Sequence, residues 1–150
     1  MVWPGDPEDF EAFLALLPKK VDGLTIRHAI EVRHDSFKCP EFVALARKYK
    51  VATILALDSQ YPVIPDVTGP FVYVRAMGTT EGEKLGYGKA ALDKFAKDTA
   101  LWATGKEPTG LDHASKEKPA VEPRDVFFYV ISGHKVANPM AAQALIERLK

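Results

Sequence analysis

A single cysteine, Cys39, stands among 150 residues, which excludes an internal disulfide and a cysteine-based zinc site and makes a reducing cytoplasm the default setting. Charge bias is missing: Lys plus Arg and Asp plus Glu number 20 each, so no overall field favours nucleic acid or an anionic membrane. No segment approaches the roughly 18 consecutive apolar residues of a membrane span. The opening Met1-Val2-Trp3-Pro4-Gly5-Asp6 lacks the basic and apolar regions of a signal peptide, and nothing repeats at a period of about 20 to 50 residues. Metal-ligand spacings, a Walker loop, a nucleophile elbow and a Ser-His-Asp order are also missing, so neither a metal nor another cofactor is implied.

What the chain does have is an alternation of elements in one domain over residues 1–150. Its hydrophobic share of 47% is enough for a real core. Phe10, Phe13, Leu14 and Leu17 fall at helical spacing and Pro18 stops that helix. Ile26 to Val32 reads as a strand, Pro40 to Tyr49 as a helix with Phe42, Leu45 and Ala46 on one side, and Val51 to Leu57 as a strand buried on both faces. Ser59 to Gly69 reads as a loop, Phe71 to Ala76 as a third strand and Ala90 to Trp102 as a helix. A mobile, charged insertion over 104–124 precedes a fourth strand, Asp125 to Ile131. Asn138 caps a last helix, with Pro139 at its first position and Leu145, Ile146 and Leu149 on its inner side.

Doubly buried strands alternating with helices mean a parallel sheet, either a small open doubly wound sheet or part of a barrel. The strands of a small open sheet are expected to be almost wholly apolar. Here Ala29, Glu31 and Arg33 share one strand face, and Phe71, Tyr73 and Arg75 share another. Charged faces need a wet mouth or compensating partners, and the C-terminal strand ends of a barrel supply that mouth. The expected fold is the C-terminal half of a (β/α)8 barrel, with four parallel strands and flanking helices. Glu31, Asp58 at the end of its strand, and Tyr73 are the candidate catalytic groups, with Arg33 and Arg75 as anion holders. The alternatives are a static ion pair between Glu31 and an arginine, and a loop-capping role for Asp58.

Ser36 lies just past the first strand's charged end. Barrels also bind phosphate with the loops after their last two strands. Gly82, Gly86, Gly88 and Lys89, then Ser132-Gly133-His134-Lys135, occupy those loops, so Ser36, Lys89, Ser132 and Lys135 complete the candidate ligand set beside ordinary turn chemistry. Cys39 at a helix start is read as passive, and His34 as packing.

At Glu31-Val32-Arg33-His34-Asp35-Ser36-Phe37, and again at Phe71-Val72-Tyr73-Val74-Arg75, the chain resembles the YecE-like family of unknown function (domain of unknown function 72), whose members are barrels. The helix Asp9 to Leu17 before Pro18, Asp125 to Tyr129, and Asn138 to Leu149 share the resemblance. It covers nearly the whole chain but the later half of a family member, which implies that these strands are the fifth to the eighth. It also implies functional weight at Glu31, Arg33, His34, Ser36, Asp58, Tyr73, Arg75, Gly78 and Tyr87. Two positions depart: Met77 stands where many members have His, and Ile131-Ser132 where many have an Asn pair. No settled activity carries over.

Four strands do not close a barrel of about 250 residues, so a homodimer, a partner with the other half, or a truncated chain is expected, the start just before a family-like helix favouring truncation. Two functions follow from the residues: a barrel half that binds or turns over a small phosphate-bearing anion, and a non-enzymatic half-barrel serving as an assembly module or an inactive fragment.

Overall fold

An Asp-Gly pair after the first helix sets the start of the fold. In a computed structural model, which describes residues 6–150, helix α1 (Pro7–Leu16) is capped by Asp6, whose carboxylate accepts from the Glu8 backbone at 2.9 Å. Asp22 and Gly23 then both take positive φ, 49° and 78°, the pairing that a two-residue hairpin turn requires. They join β1 (Lys20–Val21) to β2 (Leu24–Thr25) in an antiparallel ladder. This hairpin corrects the expected strand from Ile26 to Val32. Ile26 donates back to Lys19 at 3.0 Å as part of the hairpin, and the parallel strand β3 is only Ala29–Ile30. Among the described residues its strand neighbour is β4 (Ala52–Thr53), itself two residues long.

A 3-10 turn, Asp35–Phe37, leads to α2 (Pro40–Lys48). The apolar run after it splits its pairing. β4 pairs with β3, while β5 (Leu55–Leu57) pairs with β6 (Phe71–Ala76), and Ile54 between them donates to Ile30 at 2.8 Å. The run therefore behaves as one strand with a neighbour on each side. β6 pairs along its whole length with β7 (Asp125–Val130). All of these pairs are parallel and neighbours follow in chain order, β3, then β4 and β5, then β6, then β7. The strands do not close into a barrel.

Helix α3 (Lys89–Ala103) and helix α4 (Asn138–Leu149) cover one face of the sheet. Behind β6 and β7, Ala76, Leu92, Ala141 and Ala144 pack with Phe95, Phe128 and the ring of Tyr87. Behind β5, Leu55, Val72, Val74 and Trp102 form a second cluster, and Phe42, Val43 and Ile64 form a third under α1 and α2. In α4 the buried residues are Ala141, Ala144 and Leu145, while Ile146 and Leu149 are exposed, a correction to the expected inner face. Asn138 is the first helical residue, φ −58° and ψ −44°, rather than the cap. A 3-10 turn over Lys135–Ala137 takes up the entry, and the Asn138 amide ties down the loop before it, donating to Ser132 at 2.8 Å.

No helix bridges β5 and β6. The buried Asp66, in the irregular connection between them, accepts from Ala114 and Ser115 at 2.8 and 3.0 Å and ties the charged segment 104–124 to that connection. Arg47 donates to Glu117 at 2.9 Å and Lys38 pairs with Asp112 at 2.8 Å, anchoring the same strap. At its far end the buried Arg124 donates to the carbonyls of Gly69, Glu122 and Ala120.

Candidate functional site

Strand alternation places Glu31, just beyond β3, and Arg75, on β6, on the face that no helix covers. Their charges meet there. Glu31 Oε1 accepts from Arg33 Nε at 3.0 Å and pairs with Arg33 Nη2 at 2.9 Å, while Oε2 takes a hydrogen bond from Arg75 Nη1. The Glu31 side chain is 10% exposed, that of Arg33 59% and that of Arg75 26%. Burial pushes the Glu31 carboxyl upward, but the hydrogen bonds and charges of Arg75 and Arg33 outweigh it and hold the group below the ordinary carboxylate range. Two guanidiniums around one carboxylate leave a net charge of about +1. Arg33 also lies over the Tyr61 ring, 4.5 Å from its centre, which fixes the plane of that guanidinium.

Asp58 belongs to a different arrangement. It ends β5 with φ +55°, a conformation unfavourable for residues other than glycine and frequent at functional or tightly held sites. Tyr87 Oη donates to Asp58 Oδ2 at 2.9 Å and accepts from the Gly78 backbone at 2.7 Å. Because the Tyr87 ring lies in the helix-side cluster, this latch draws the Asp58 carboxylate toward the helices, and no bond joins it to Glu31 or Arg75. Burial, and then the neighbouring carboxylate, push the Tyr87 phenol far above its usual value. Gly78 is required by close approach: a Cβ there would lie 2.5 Å from that of Asp58.

The loops after β6 and β7 are knitted together around Thr79. Its hydroxyl lies 2.5 Å from Asn138 Oδ1 and its carbonyl accepts from His134 at 2.9 Å. Ser132 and Lys135 are exposed on the second of these loops. Lys89 starts α3 and pairs along the helix with Asp93 at 2.6 Å. Ser36 is buried, with its hydroxyl 2.8 Å from His34 Nδ1. Cys39 precedes α2 without a capping bond, and burial pushes its thiol up. Among the described residues no group of three or more His, Cys, Asp or Glu side chains is arranged to hold a metal ion.

The sequence-predicted residues thus divide. Glu31, Arg33 and Arg75 come together; Tyr73 lies on the same sheet face, stacked on Tyr129 at 5.1 Å; Asp58, Ser36, Lys89, Ser132 and Lys135 are separate. Two participants were missed. Tyr61 sits in a proline-rich loop with no periodicity to reveal it. Arg27 had a signal, since it shares the parity of Ala29, Glu31 and Arg33; it lies 4.9 and 5.3 Å from the ring centres of Phe71 and Phe127.

Parallel strands, flanking helices and an arginine–glutamate cluster beyond the strands define an α/β protein of the kind that carries polar groups on one open sheet face. Residues 4–150 match the family described as Protein of unknown function DUF72, and the chain belongs to it. No curated protein and no solved structure matches the chain. No helix among the described residues is long and apolar enough to cross a membrane.

Proposed function

We propose that the chain is one half of a parallel (β/α)8 barrel and binds a small phosphate-bearing anion at the C-terminal ends of its strands. The observation that carries this reading is the Glu31 carboxylate between two arginines. It orients both guanidiniums and leaves Arg33 Nη1 and Arg75 Nε and Nη2 without an acceptor among the described residues. A cation whose position is already set loses little freedom on meeting an anion. Glu31, held ionised, suits a base more than an acid at neutral pH. Tyr73 stands beside it as a donor, and Asp58, Ser36, Lys89, Ser132 and Lys135 serve at the rim or as loop supports. The half-barrel part is supported by parallel strands that run in chain order and by charged residues at their C-terminal ends.

Titration with inorganic phosphate, followed by calorimetry, tests the site. Arg33→Glu sets a second carboxylate beside Glu31 and is expected to abolish binding while lowering the melting temperature. Arg33→Gln, which adds no charge, is the companion variant, expected to weaken binding with a melting temperature close to wild type. Binding that survives Arg33→Glu sinks the anion reading.

A second reading, an assembly module without activity of its own, is favoured by the aromatic side chains of Tyr73, Phe127 and Tyr129 on the uncovered sheet face, Tyr129 being 45% exposed. Turnover by this chain alone, lost in a folded Glu31→Gln variant, would exclude it.

A further inference from the structure

We infer, granted the anion-binding reading of this site, that Arg75 is the residue that sets its specificity. The Nε–Nη2 edge of Arg75 takes two oxygens of a tetrahedral oxyanion and Arg33 Nη1 takes a third. The site therefore selects a phosphate-type group over a planar carboxylate.

The two guanidiniums share one carboxylate but turn different edges to it. Arg33 gives Glu31 its side edge, with Nε and Nη2 both on Oε1 at 3.0 and 2.9 Å. Arg75 gives Glu31 a single corner, Nη1, which donates to Oε2. In a guanidinium the Nε–H bond and one Nη2–H bond run parallel, and that pair matches two oxygens of one oxyanion. Among the described residues the pair is occupied in Arg33 and has no acceptor in Arg75. Arg33 keeps Nη1 for one further bond. Three donors on two cations suit a group that presents three oxygens on one face, as phosphate does and acetate does not.

The backbone separates the two arginines in the same sense. Arg75 stands in β6, which has strand partners on both sides, in register with Ala56 and Tyr129. Arg33 follows β3 in a segment without regular structure, and its side chain is 59% exposed against 26% for Arg75. A less hydrated cation on a fixed strand gives up less freedom and less solvation on meeting an anion. The Tyr61 ring, 4.5 Å from the Arg33 guanidinium carbon, steadies Arg33 for its supporting contact.

Calorimetric titration of the chain with phosphate, methanesulfonate and acetate tests it. Methanesulfonate carries the single charge of acetate but has three oxygens, and it should bind at least about threefold more tightly than acetate, with phosphate tightest. Arg75→Lys keeps the charge and loses the paired donors, and should weaken phosphate binding about tenfold or more. Arg33→Lys should weaken it about threefold or less. Melting curves of both variants establish that they are folded. A loss in Arg33→Lys that equals or exceeds the loss in Arg75→Lys overturns the role of Arg75 and leaves the anion reading standing. Acetate bound by the wild type as tightly as methanesulfonate does the same, whether or not the variants fold. A wild-type chain that binds no phosphate overturns both.

Discussion

Arg27 Nη1 donates to Asp125 Oδ2 at 2.9 Å, joining the segment before β3 to the first residue of β7, the two outer strands of the sheet. Strands stand about 4.8 Å apart, so the edges of a flat four-stranded sheet lie about 14 Å apart. Side chains that leave a flat sheet perpendicular to it do not span that gap, so the sheet curls about the face that carries them. The Arg27 guanidinium crosses that hollow over Phe71 and Phe127.

The arginine should therefore matter more than its partner. Both side chains are well exposed, at 41% and 70%, and exposed ion pairs contribute at most about 1 kcal/mol. Asp125→Asn is expected to cost under about 0.5 kcal/mol. Arg27→Ala also loses two ring contacts and is expected to cost about 1–1.5 kcal/mol. Urea denaturation of the two variants decides. Equal losses would mean that the ring contacts contribute nothing.

Removing Glu31 leaves two guanidiniums facing each other. Glu31→Gln is expected to lower stability at neutral pH by about 1.5–3 kcal/mol, the range for hydrogen bonds to charged groups. The pH dependence has a definite sign. The folded carboxyl titrates below its ordinary value of 4.5, so its contribution is complete above that pH and is lost as pH falls through the lower, folded value. Other carboxylates, Glu11, Asp93 and Asp112, are also held low, so the comparison is between proteins. Wild type should converge on the variant in acid; a constant gap down to the acid transition would contradict the pairing.

β6, β7, α2 and α3 were legible because each carries its own signal: a dense β-branched and aromatic run, or a helical stripe begun by proline or by a small residue. β3 was not, because the length of an edge strand is set by its neighbour rather than by its own residues. The β1–β2 hairpin was legible in principle, since Asp22-Gly23 is a strong turn pair, but the apolar residues after it suggested a longer strand. For the site, alternation along β3 and β6 brought Glu31, Arg33 and Arg75 together on paper. Alternation could not place Asp58, whose positive φ breaks it, nor find Tyr61, which arrives from an irregular loop.

The latch at Asp58 makes a prediction about alkaline pH. The Tyr87 phenol is held neutral in the fold well above its ordinary value of 10.0. Stability is therefore complete below that pH and falls as pH rises beyond it, where the unfolded chain ionises first. Tyr87→Phe keeps the ring but frees both the Gly78 amide and the Asp58 carboxylate, at an expected cost of about 1–2 kcal/mol at neutral pH, and its melting temperature should fall less steeply with alkali. Gly78→Ala forces a Cβ against Asp58 and should cost about 1–3 kcal/mol or more. Thermal melts from neutral to alkaline pH measure all three proteins, and a Tyr87→Phe curve parallel to wild type would rule out the latch.

Asp66 joins two segments 48 residues apart in the chain. Only 2% exposed, it holds the amides of Ala114 and Ser115 and so ties the strap to the connection between β5 and β6. Asp66→Ala removes both acceptors at once and should cost about 1–3 kcal/mol. Asp66→Asn keeps one acceptor oxygen but sets an amide group against the second N–H, and should fall between. The larger effect is local. Lys116 is exposed on the strap, and trypsin cuts the Lys116–Glu117 bond when the segment opens readily. Cleavage there should accelerate in Asp66→Ala before global unfolding changes. If both variants are cut at the wild-type rate, Arg47 and Lys38 hold the strap without help from Asp66.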